Sequence, residues 1–317
     1  MRGVAARAHP DRLKAMFDPP SMQRLAGDRL HLSHGPIDVV LKAWGAAAAV
    51  AAAYGAVCRR FPHILPELCD ELAQLRLPIE EAPAASGRVA RRMIEACRPF
   101  GAVFVTPMAA VAGAVADELL AEMLDAAPLA RAFVNDGGDI AVLTSEDHAL
   151  EIGIAGAYGD GAAPLVNGRV RIDPRSGIGG IATSGARGRS FSLGIADAVT
   201  TFAGNAATAD VAATLIANAV NVESPAVVRR PACELDPDSD LGEHRVTVSV
   251  GELTGEEVAE ALARGTGVAA AYRRRGLIAA AALMLAGEFR TLSPGSLRLR
   301  GASSNLPCGP RDRLPSA

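Results

Sequence analysis

Aromatic residues are scarce in this chain of 317 residues, where Phe, Trp and Tyr together make up 4% of the sequence. Hydrophobic residues nevertheless reach 50%, and most of them are Ala, Val and Leu. Charged residues make up 21%, which is typical of a globular chain and excludes a highly charged disordered one. We therefore expect a core of small side chains in closely packed helices and strands.

The sequence also lacks an excess of positive charge and a long apolar run. Its formal net charge is −3 at pH 7, which argues against nucleic-acid binding through a basic face. The longest weakly polar run, residues 44–57, is shorter than the roughly 20 residues of a membrane-spanning helix. The first 20 residues contain no apolar segment of the signal-peptide kind. We therefore expect a cytoplasmic protein that does not bind nucleic acid or membranes.

No cysteine pair has the CxxC spacing of a zinc or redox site, although the chain contains 5 cysteines. Their odd number and irregular spacing indicate reduced thiols.

Residues 177–182, GIGGIA, match the GxGxxA pattern of dinucleotide-binding turns, but the segment that follows favours strand and loop over the required helix. The acidic phrase LDPDSDLG, residues 235–242, lacks the glycine and glutamate positions of a calcium loop and predicts an acidic turn.

Predicted strands come in adjacent pairs, with helices between the pairs. RLHLSH and IDVVLKA flank a His-Gly-Pro turn, and ARAFVNDGGDIAVLTS is typical of strand, turn and strand. Helices are predicted over 44–60 and 63–75, separated at Pro62, and after Thr254, which forms a capping box with Glu257. This order favours an α+β fold with antiparallel sheets over a regular βαβ winding.

Composition divides the chain into three parts. Residues 1–28 are polar and contain proline, so we expect a flexible arm there. A single folded domain is expected over 29–292. Ser, Pro, Arg and Gly dominate 293–317, which predicts a disordered tail.

Two segments carry groups that can bind a ligand. In VNDGGDIAV, two glycines between aspartates can adopt positive φ and expose N–H groups to an anion, and an ordinary hairpin turn is the alternative. In TADVAATLIANAV, Asp210 and Thr214 are four residues apart and share one face of a predicted helix. Their oxygens suit Mg²⁺, whereas the alternative is a helix-start aspartate and a threonine bonded to a backbone carbonyl.

Taken in order, PMAAVAGAVAD, VNDGGDIAV, GIATSG, RSFSLGIADAVT and ADVAAT resemble the ApbE-like superfamily, and more closely its uncharacterised UPF-series branch. The resemblance extends from about His31 to Arg290. It implies a T-fold-like, ApbE-type α+β arrangement of antiparallel sheets packed with helices. Known members of the superfamily bind FAD and Mg²⁺ and transfer FMN to a threonine of a partner flavoprotein.

The resemblance implies a role for individual positions. The flavin-nucleotide site would comprise Asn135, Gly137, Gly138, Asp139, Thr183, Ser184, Gly185 and Arg189. Magnesium would be held by Asp210, Thr214 and the backbone carbonyl of Ala112. The implied chemistry is phosphoryl transfer, in which Mg²⁺ neutralises the pyrophosphate. The resemblance assigns no catalytic residue.

Two departures from the family pattern leave the activity open. The lysine of the family's AKG phrase is absent from AVAGAVAD, and the family's His-containing HIIDPRTG hairpin is absent after TSG. The similar phrase DPRSG, residues 173–177, precedes TSG and predicts only a loop. The function is therefore either FMN-transferase-like, with a nucleotide-like ligand and a protein acceptor, or that of a non-catalytic accessory protein in metabolism, for example in sulfur assimilation. The Ala-rich stretch 44–60 fits either the core or the interface of a homo-oligomer.

Overall fold

The computed structural model describes residues 17–145, 148–157, 165–188, 190–293 and 300–301. Its helices are α1 Ala47–Leu75, α2 Arg88–Cys97, α3 Val111–Ala126, α4 Ala206–Ala219, α5 Ala232–Leu235 and α6 Gly255–Arg274. Single 3-10 turns cover Ile79–Glu81, Arg98–Phe100, Pro107–Ala110 and Pro174–Ser176. The strands are β1 Ser21–Leu25, β2 Arg29–His34, β3 Ile37–Trp44, β4 Arg131–Asp136, β5 Asp139–Thr144, β6 Leu150–Ala157, β7 Leu165–Ile172, β8 Gly180–Ser184, β9 Ala198–Ala203, β10 Val227–Pro231, β11 Arg245–Val250, β12 Ala280–Leu285, β13 Glu288–Leu292 and β14 Arg300–Gly301.

A nine-stranded sheet forms the centre of the fold, in the order β1-β2-β3-β4-β5-β8-β9-β12-β13. Every neighbouring pair in this sheet is antiparallel. A second sheet contains β14, β7 and β6, and a third contains β10 and β11. The prediction of an α+β fold with antiparallel sheets packed with helices is therefore confirmed.

The two faces of the large sheet are covered differently. Alternation along β3 directs Val39 and Leu41 toward the helices, where they join a core that includes Phe61 of α1. On the opposite face, Phe202 of β9 packs with Ile172 of β7 in a second, smaller core. The sheet is thus the middle layer between helices and a small sheet.

Helix α1 is continuous from Ala47 to Leu75 although it contains Pro62 and Pro66. The prediction of two helices separated at Pro62 is therefore wrong, and Trp44, the predicted first residue, ends β3 instead. A proline inside a helix removes a hydrogen bond and costs about 3 kcal/mol or more. Phe61 lies in the core, so tertiary packing keeps the two halves of the helix in line.

Helix α6 begins as the sequence predicts. The Thr254 hydroxyl accepts from Glu257 N–H at 3.3 Å, and the Glu257 carboxylate accepts from Thr254 N–H at 2.7 Å. These two bonds are the predicted capping box, which satisfies N–H groups that have no partner within the helix.

Strand β1 pairs with β2 along its whole length. It falls inside the stretch 1–28 that composition assigned to an arm, so residues 21–25 are instead the edge of the sheet. Residues 1–16, 294–299 and 302–317 lie outside the described residues, and the arm and tail there stay predictions, whereas residues 300–301 of the predicted tail pair with β7 as β14. Among the helices that the structure describes, none has the length and apolar character to cross a membrane.

Candidate functional site

The segments that carried the resemblance meet at one end of the large sheet, on its helical side. The β4–β5 turn begins β5, which pairs with β8, and β8 pairs with β9. Helix α4 packs against both β8 and β9. Because β5 and β8 are antiparallel, the β4–β5 turn at the start of β5 lies beside the C-terminal end of β8, at one end of the strands of the sheet.

The β4–β5 turn satisfies its own amides. Gly137 and Gly138 have φ of 63° and 118°, which glycine adopts readily. Gly138 N–H donates to Asn135 Oδ1 at 2.9 Å, and Gly137 N–H donates to the Asp38 carbonyl at 3.3 Å. These bonds favour the hairpin-turn interpretation over an anion-binding nest, because neither amide is left for a ligand.

The same turn places two carboxylates on the helical side. Asp136 and Asp139 share the face of Val134 and Ala141, which pack in the helical core. Asp139 Oδ1 accepts from Thr183 N–H at 3.2 Å, and Asp136 Oδ1 accepts from Asp38 N–H at 3.2 Å. Asn135 alternates to the opposite face, so its side chain supports the turn and not the helical side of the site.

Asp210 of α4 lies among these carboxylates. Burial and the negative charge of Asp139, followed by the charges of Asp136 and Asp117, raise the pKa of Asp210 well above its usual range. The opposing contribution is a hydrogen bond from Gly113 N–H to Asp210 Oδ2 at 3.1 Å. Burial and these charges therefore disfavour the charged form of Asp210 more than the bond from Gly113 favours it.

Helix α3 contacts the start of α4 so closely that only glycine fits between them. A Cβ on Gly113 would lie 2.4 Å from the Ala206 carbonyl oxygen. The Asp117 carboxylate accepts from Ala206 N–H and Ala207 N–H, both at 2.9 Å, and so caps α4 from a neighbouring helix. Burial raises the pKa of Asp117 despite these bonds. This junction holds Ala112 and Gly113 beside Asp210.

The side chains of Thr183 and Ser184, the first two residues of the TSG segment, lie on opposite faces of the large sheet. Thr183 Oγ1 lies 2.8 Å from Thr200 Oγ1 on the face that carries Ile181 and Phe202. Ser184 points the other way, toward α4, where Thr214 Oγ1 donates to its Oγ at 3.5 Å. Thr183 thus reaches the helical side only through its N–H group, which binds Asp139.

The structure therefore brings together part of the predicted set. Asp139, Ser184, Asp210 and Thr214, with the backbone at 112–113, lie on the helical side. The side chains of Asn135 and Thr183 lie across the sheet, Gly185 packs against the Asp197 carbonyl, and Arg189 lies outside the described residues.

The donors at Asp210 fit magnesium better than zinc. Within the described residues, no three or more His, Cys, Asp or Glu side chains are grouped in a way that could hold a metal ion. Mg²⁺ does not need such a cage, because it binds one or two carboxylates and takes waters and substrate phosphates for its other positions. Asp210 Oδ1, Thr214 Oγ1 and the Ala112 carbonyl are hard oxygen donors of that kind.

A set of buried contacts near Asp210, made by Cys97, Thr106 and Asp240, was not predicted from the sequence. Burial and the charge of Asp210 raise the pKa of the Cys97 thiol, which donates to the Thr106 carbonyl at 3.4 Å. The buried Thr106 hydroxyl donates to the Asp240 carboxylate. The acidic turn predicted at 235–242 thus anchors the segment that leads into α3. No motif could reveal this contact, because its partners are 134 residues apart.

Comparisons with known proteins agree with the resemblance. A family model described as AbpE bacteria matches residues 22–291. The UPF0280 protein of Methanosarcina acetivorans is 36% identical over 161 residues, which are 50% of this chain and 60% of that protein. The UPF0280 protein of Methanopyrus kandleri is 36% identical over 182 residues, which are 57% of this chain and 69% of that protein. The chain thus spans about 60% of the length of the first of these relatives.

Two solved structures show a more distant similarity. The ApbE protein of Thermotoga maritima has a TM-score of 0.45 and 13% identity, with 86% of this chain and 96% of that chain covered. The flavinyl transferase ApbE of Pseudomonas stutzeri has a TM-score of 0.40 and 14% identity, with 87% and 94% covered. Neither similarity bears on the site. Since the family model covers residues 22–291, the chain belongs to the AbpE bacteria family, an uncharacterised branch of the ApbE-like proteins.

Proposed function

We propose that the protein binds FAD together with Mg²⁺ on the helical side of the sheet, between the β4–β5 turn and α4. The observation that carries this proposal is the buried position of Asp210 near other carboxylates: burial and the charges of Asp139, Asp136 and Asp117 raise its pKa, and a bound cation would favour its charged form. Membership of an ApbE-like family supports a flavin nucleotide as the ligand.

The residues of this chain would share the work as follows. Asp210 Oδ1, Thr214 Oγ1 and the Ala112 carbonyl would hold the metal, because Asp210 Oδ2 is already bonded to Gly113 N–H. Asp117 fixes the start of α4, and Thr183 N–H fixes Asp139. When bound, the metal would neutralise phosphate charge and make phosphorus more open to attack.

As an enzyme, the protein would transfer FMN from FAD to a hydroxyl of a protein acceptor: the hydroxyl oxygen would bond to the FMN phosphorus as the pyrophosphate P–O bond breaks, and AMP and the hydroxyl proton would leave. We include this transferase-like activity and its acceptor in the proposal, together with a cytoplasmic location in keeping with the thiols of Cys58, Cys97 and Cys233, which form no disulfide. Such a transfer needs only positioning and charge stabilisation from the chain, since the reacting groups belong to the substrates.

One observation favours a second function, nucleotide binding without catalysis. Ala186 N–H donates to the Ala196 carbonyl at 2.8 Å, which closes the loop after the TSG segment. The described residues of this loop form no hairpin of the kind that transferases carry there. AVAGAVAD also contains no lysine. The accessory-protein alternative therefore stands beside the transferase-like one.

A titration separates these functions. We expect FAD to bind the wild-type protein in the presence of Mg²⁺ and to bind at least tenfold more weakly in EDTA or in Asp210→Asn, on the order of one lost charged contact. Asp125→Asn, a change at an exposed carboxylate of α3, is the matched control and should bind as the wild type does.

The products of incubation then decide between enzyme and binding protein. Appearance of FMN and AMP over time in a chromatogram supports cleavage, and unchanged FAD supports binding alone. Absence of FAD binding by the wild-type protein would overturn the proposed function. Binding that is equal in Asp210→Asn and wild type would overturn the metal assignment.

A further inference from the structure

The loop after the TSG segment holds an arginine at a fixed position near the candidate site. Arg187 Nε donates to Asp197 Oδ1 at 2.7 Å. The Arg187 side chain is 59% exposed, whereas that of Asp197 is only 14% exposed. The guanidinium therefore projects into solvent from a largely buried anchor.

Asp197 is itself held by the end of β12. Its Oδ2 accepts from Ala286 N–H at 2.7 Å, and its own N–H donates to the Met284 carbonyl at 2.9 Å. Gly185 packs against it so tightly that a Cβ there would lie 2.6 Å from the Asp197 carbonyl oxygen. Exposed ion pairs add little to stability, so the main effect of this anchor is to orient Arg187.

The path of the chain keeps Arg187 close to the TSG segment, at the end of the sheet that carries the proposed site. Arg187 follows Ser184 by three residues, and three extended residues span at most about 11 Å. Ser184 in turn contacts Thr214 across 3.5 Å. The loop folds back through a bond from Gly188 N–H to the Gly185 carbonyl at 3.0 Å, which keeps Arg187 at the same end of the sheet.

Charge distribution gives this arginine a role. Asp139 and Asp210 place carboxyl oxygens on one side of the site, and such oxygens suit a cation better than a phosphate. Among the described residues, the terminal guanidinium nitrogens of Arg187 have no hydrogen-bond partner, and this fork matches phosphate oxygens.

Resting on the proposed function, we propose that Arg187 binds the pyrophosphate of the nucleotide and that Asp197 orients it. The pyrophosphate would then lie between a cation on the acidic side and the guanidinium on the other. Asp197 acts through Arg187 and is a positioning residue.

Affinity for FAD at saturating Mg²⁺, measured by quenching of flavin fluorescence, tests this assignment. Arg187→Ala should weaken binding about 10- to 100-fold, and Arg187→Lys should recover part of the loss. Asp197→Asn should weaken binding less, because the charge at Arg187 remains. Arg264→Ala is the matched control: Arg264 is 51% exposed and bonded to the Glu260 carboxylate at 2.6 Å on α6, and its loss should leave the affinity unchanged.

Failure of the inference and failure of the proposed function are distinguishable. Equal FAD affinity of Arg187→Ala and wild type overturns the role of Arg187 and leaves FAD binding intact. If the wild-type protein does not bind FAD, the proposed function is overturned, and inorganic pyrophosphate with Mg²⁺ becomes the probe. Weaker pyrophosphate binding in Arg187→Ala than in wild type then supports the anion site, whereas equal or absent binding overturns it.

Discussion

At the scale of single residues, the site depends on how closely backbone atoms approach one another. Gly113 lies against the start of α4 and also donates its N–H to Asp210. The absence of a side chain at Gly113 thus allows the two helices to approach, and its N–H group positions the Asp210 carboxylate. Changes at such a residue should affect stability and ligand binding together.

Gly113→Ala is expected to destabilise the protein by about 1–3 kcal/mol, because the new Cβ must displace backbone atoms of Ala206. Urea unfolding measures the loss, and FAD titration should show weaker binding. Gly267→Ala is the matched control within α6. That glycine is exposed, a Cβ at its position would have no atom within 4 Å, and the change should stabilise the helix by up to about 1 kcal/mol. Equal effects of the two changes would contradict the close approach at Gly113.

His34 gives the fold a dependence on pH. Burial lowers its pKa, and its Nδ1 is buried without a hydrogen-bond partner. The unfolded chain therefore binds a proton more readily than the folded one near the ordinary histidine pKa of about 6.5. We expect stability to be retained above that pH and to fall as the pH drops below it.

Urea unfolding at a series of pH values checks this expectation. His34→Gln should reduce the loss of stability between about pH 7.5 and 5.5, since the group that takes up the proton is gone. His63→Gln, at an exposed position of α1, is the control and should keep the wild-type profile. Identical slopes for wild type and His34→Gln would show that another group is responsible.

At the scale of elements, three helices are joined at one buried carboxylate. Glu118 of α3 is fully buried and bonds Arg60 of α1 at 2.9 Å and Arg92 of α2 at 3.1 Å. Arg88 of α2 lies 3.1 Å from the same carboxylate. These pairs orient the helices that carry Cys97 and Gly113 toward α4.

Glu118→Gln should cost about 3–5 kcal/mol of unfolding free energy, because it removes a fully buried charge that pairs with Arg60, whose side chain is only 11% exposed. Denaturation in urea at neutral pH measures the loss. Glu260→Gln on α6 is the control: its exposed pair with Arg264 should contribute no more than about 0.5 kcal/mol. A loss for Glu118→Gln as small as that of the control would contradict the structural role of this cluster.

The elements also show what sequence can predict. Local patterns were sufficient for the β2–β3 and β4–β5 hairpins and for the capping box of α6, since turn and cap residues act on their near neighbours. Helix α1 was predicted wrongly because long-range packing outweighs Pro62. In the site, the spacing of Asp210 and Thr214 was visible, but the bonds of Asp117 to α4 join residues at least 89 apart. Nothing in local spacing encodes such a partner.

At the scale of the whole molecule, the buried carboxylate of the proposed site lowers the free energy of unfolding of the ligand-free protein. The sheet and two helices bury Asp210 near Asp139, Asp136 and Asp117, and this burial, together with repulsion from the three carboxylates, raises the pKa of Asp210. Such crowding costs free energy in the absence of a cation. A bound cation and nucleotide would therefore raise the free energy of unfolding of the wild-type protein.

Asp210→Asn is therefore expected to stabilise the ligand-free protein by about 0.5–2 kcal/mol in EDTA. Thermal unfolding measures this gain. Addition of Mg²⁺ and FAD should raise the Tm of the wild type and leave that of Asp210→Asn nearly unchanged. Asp125→Asn should behave as the wild type in both conditions. A lower Tm for Asp210→Asn than for wild type in EDTA would show that the carboxylate supports the fold.

The register of β8 decides which hydroxyl of the TSG segment lies on the helical side of the sheet. Thr183 and Ser184 are interchangeable in kind, since each offers one hydroxyl, and only their position along the strand decides which of them contacts α4. A shift of β8 by one residue would exchange their faces. An insertion or deletion of one residue between β7 and β8 that shifted this register would therefore place the Thr183 hydroxyl, and no longer that of Ser184, on the side of the proposed nucleotide site.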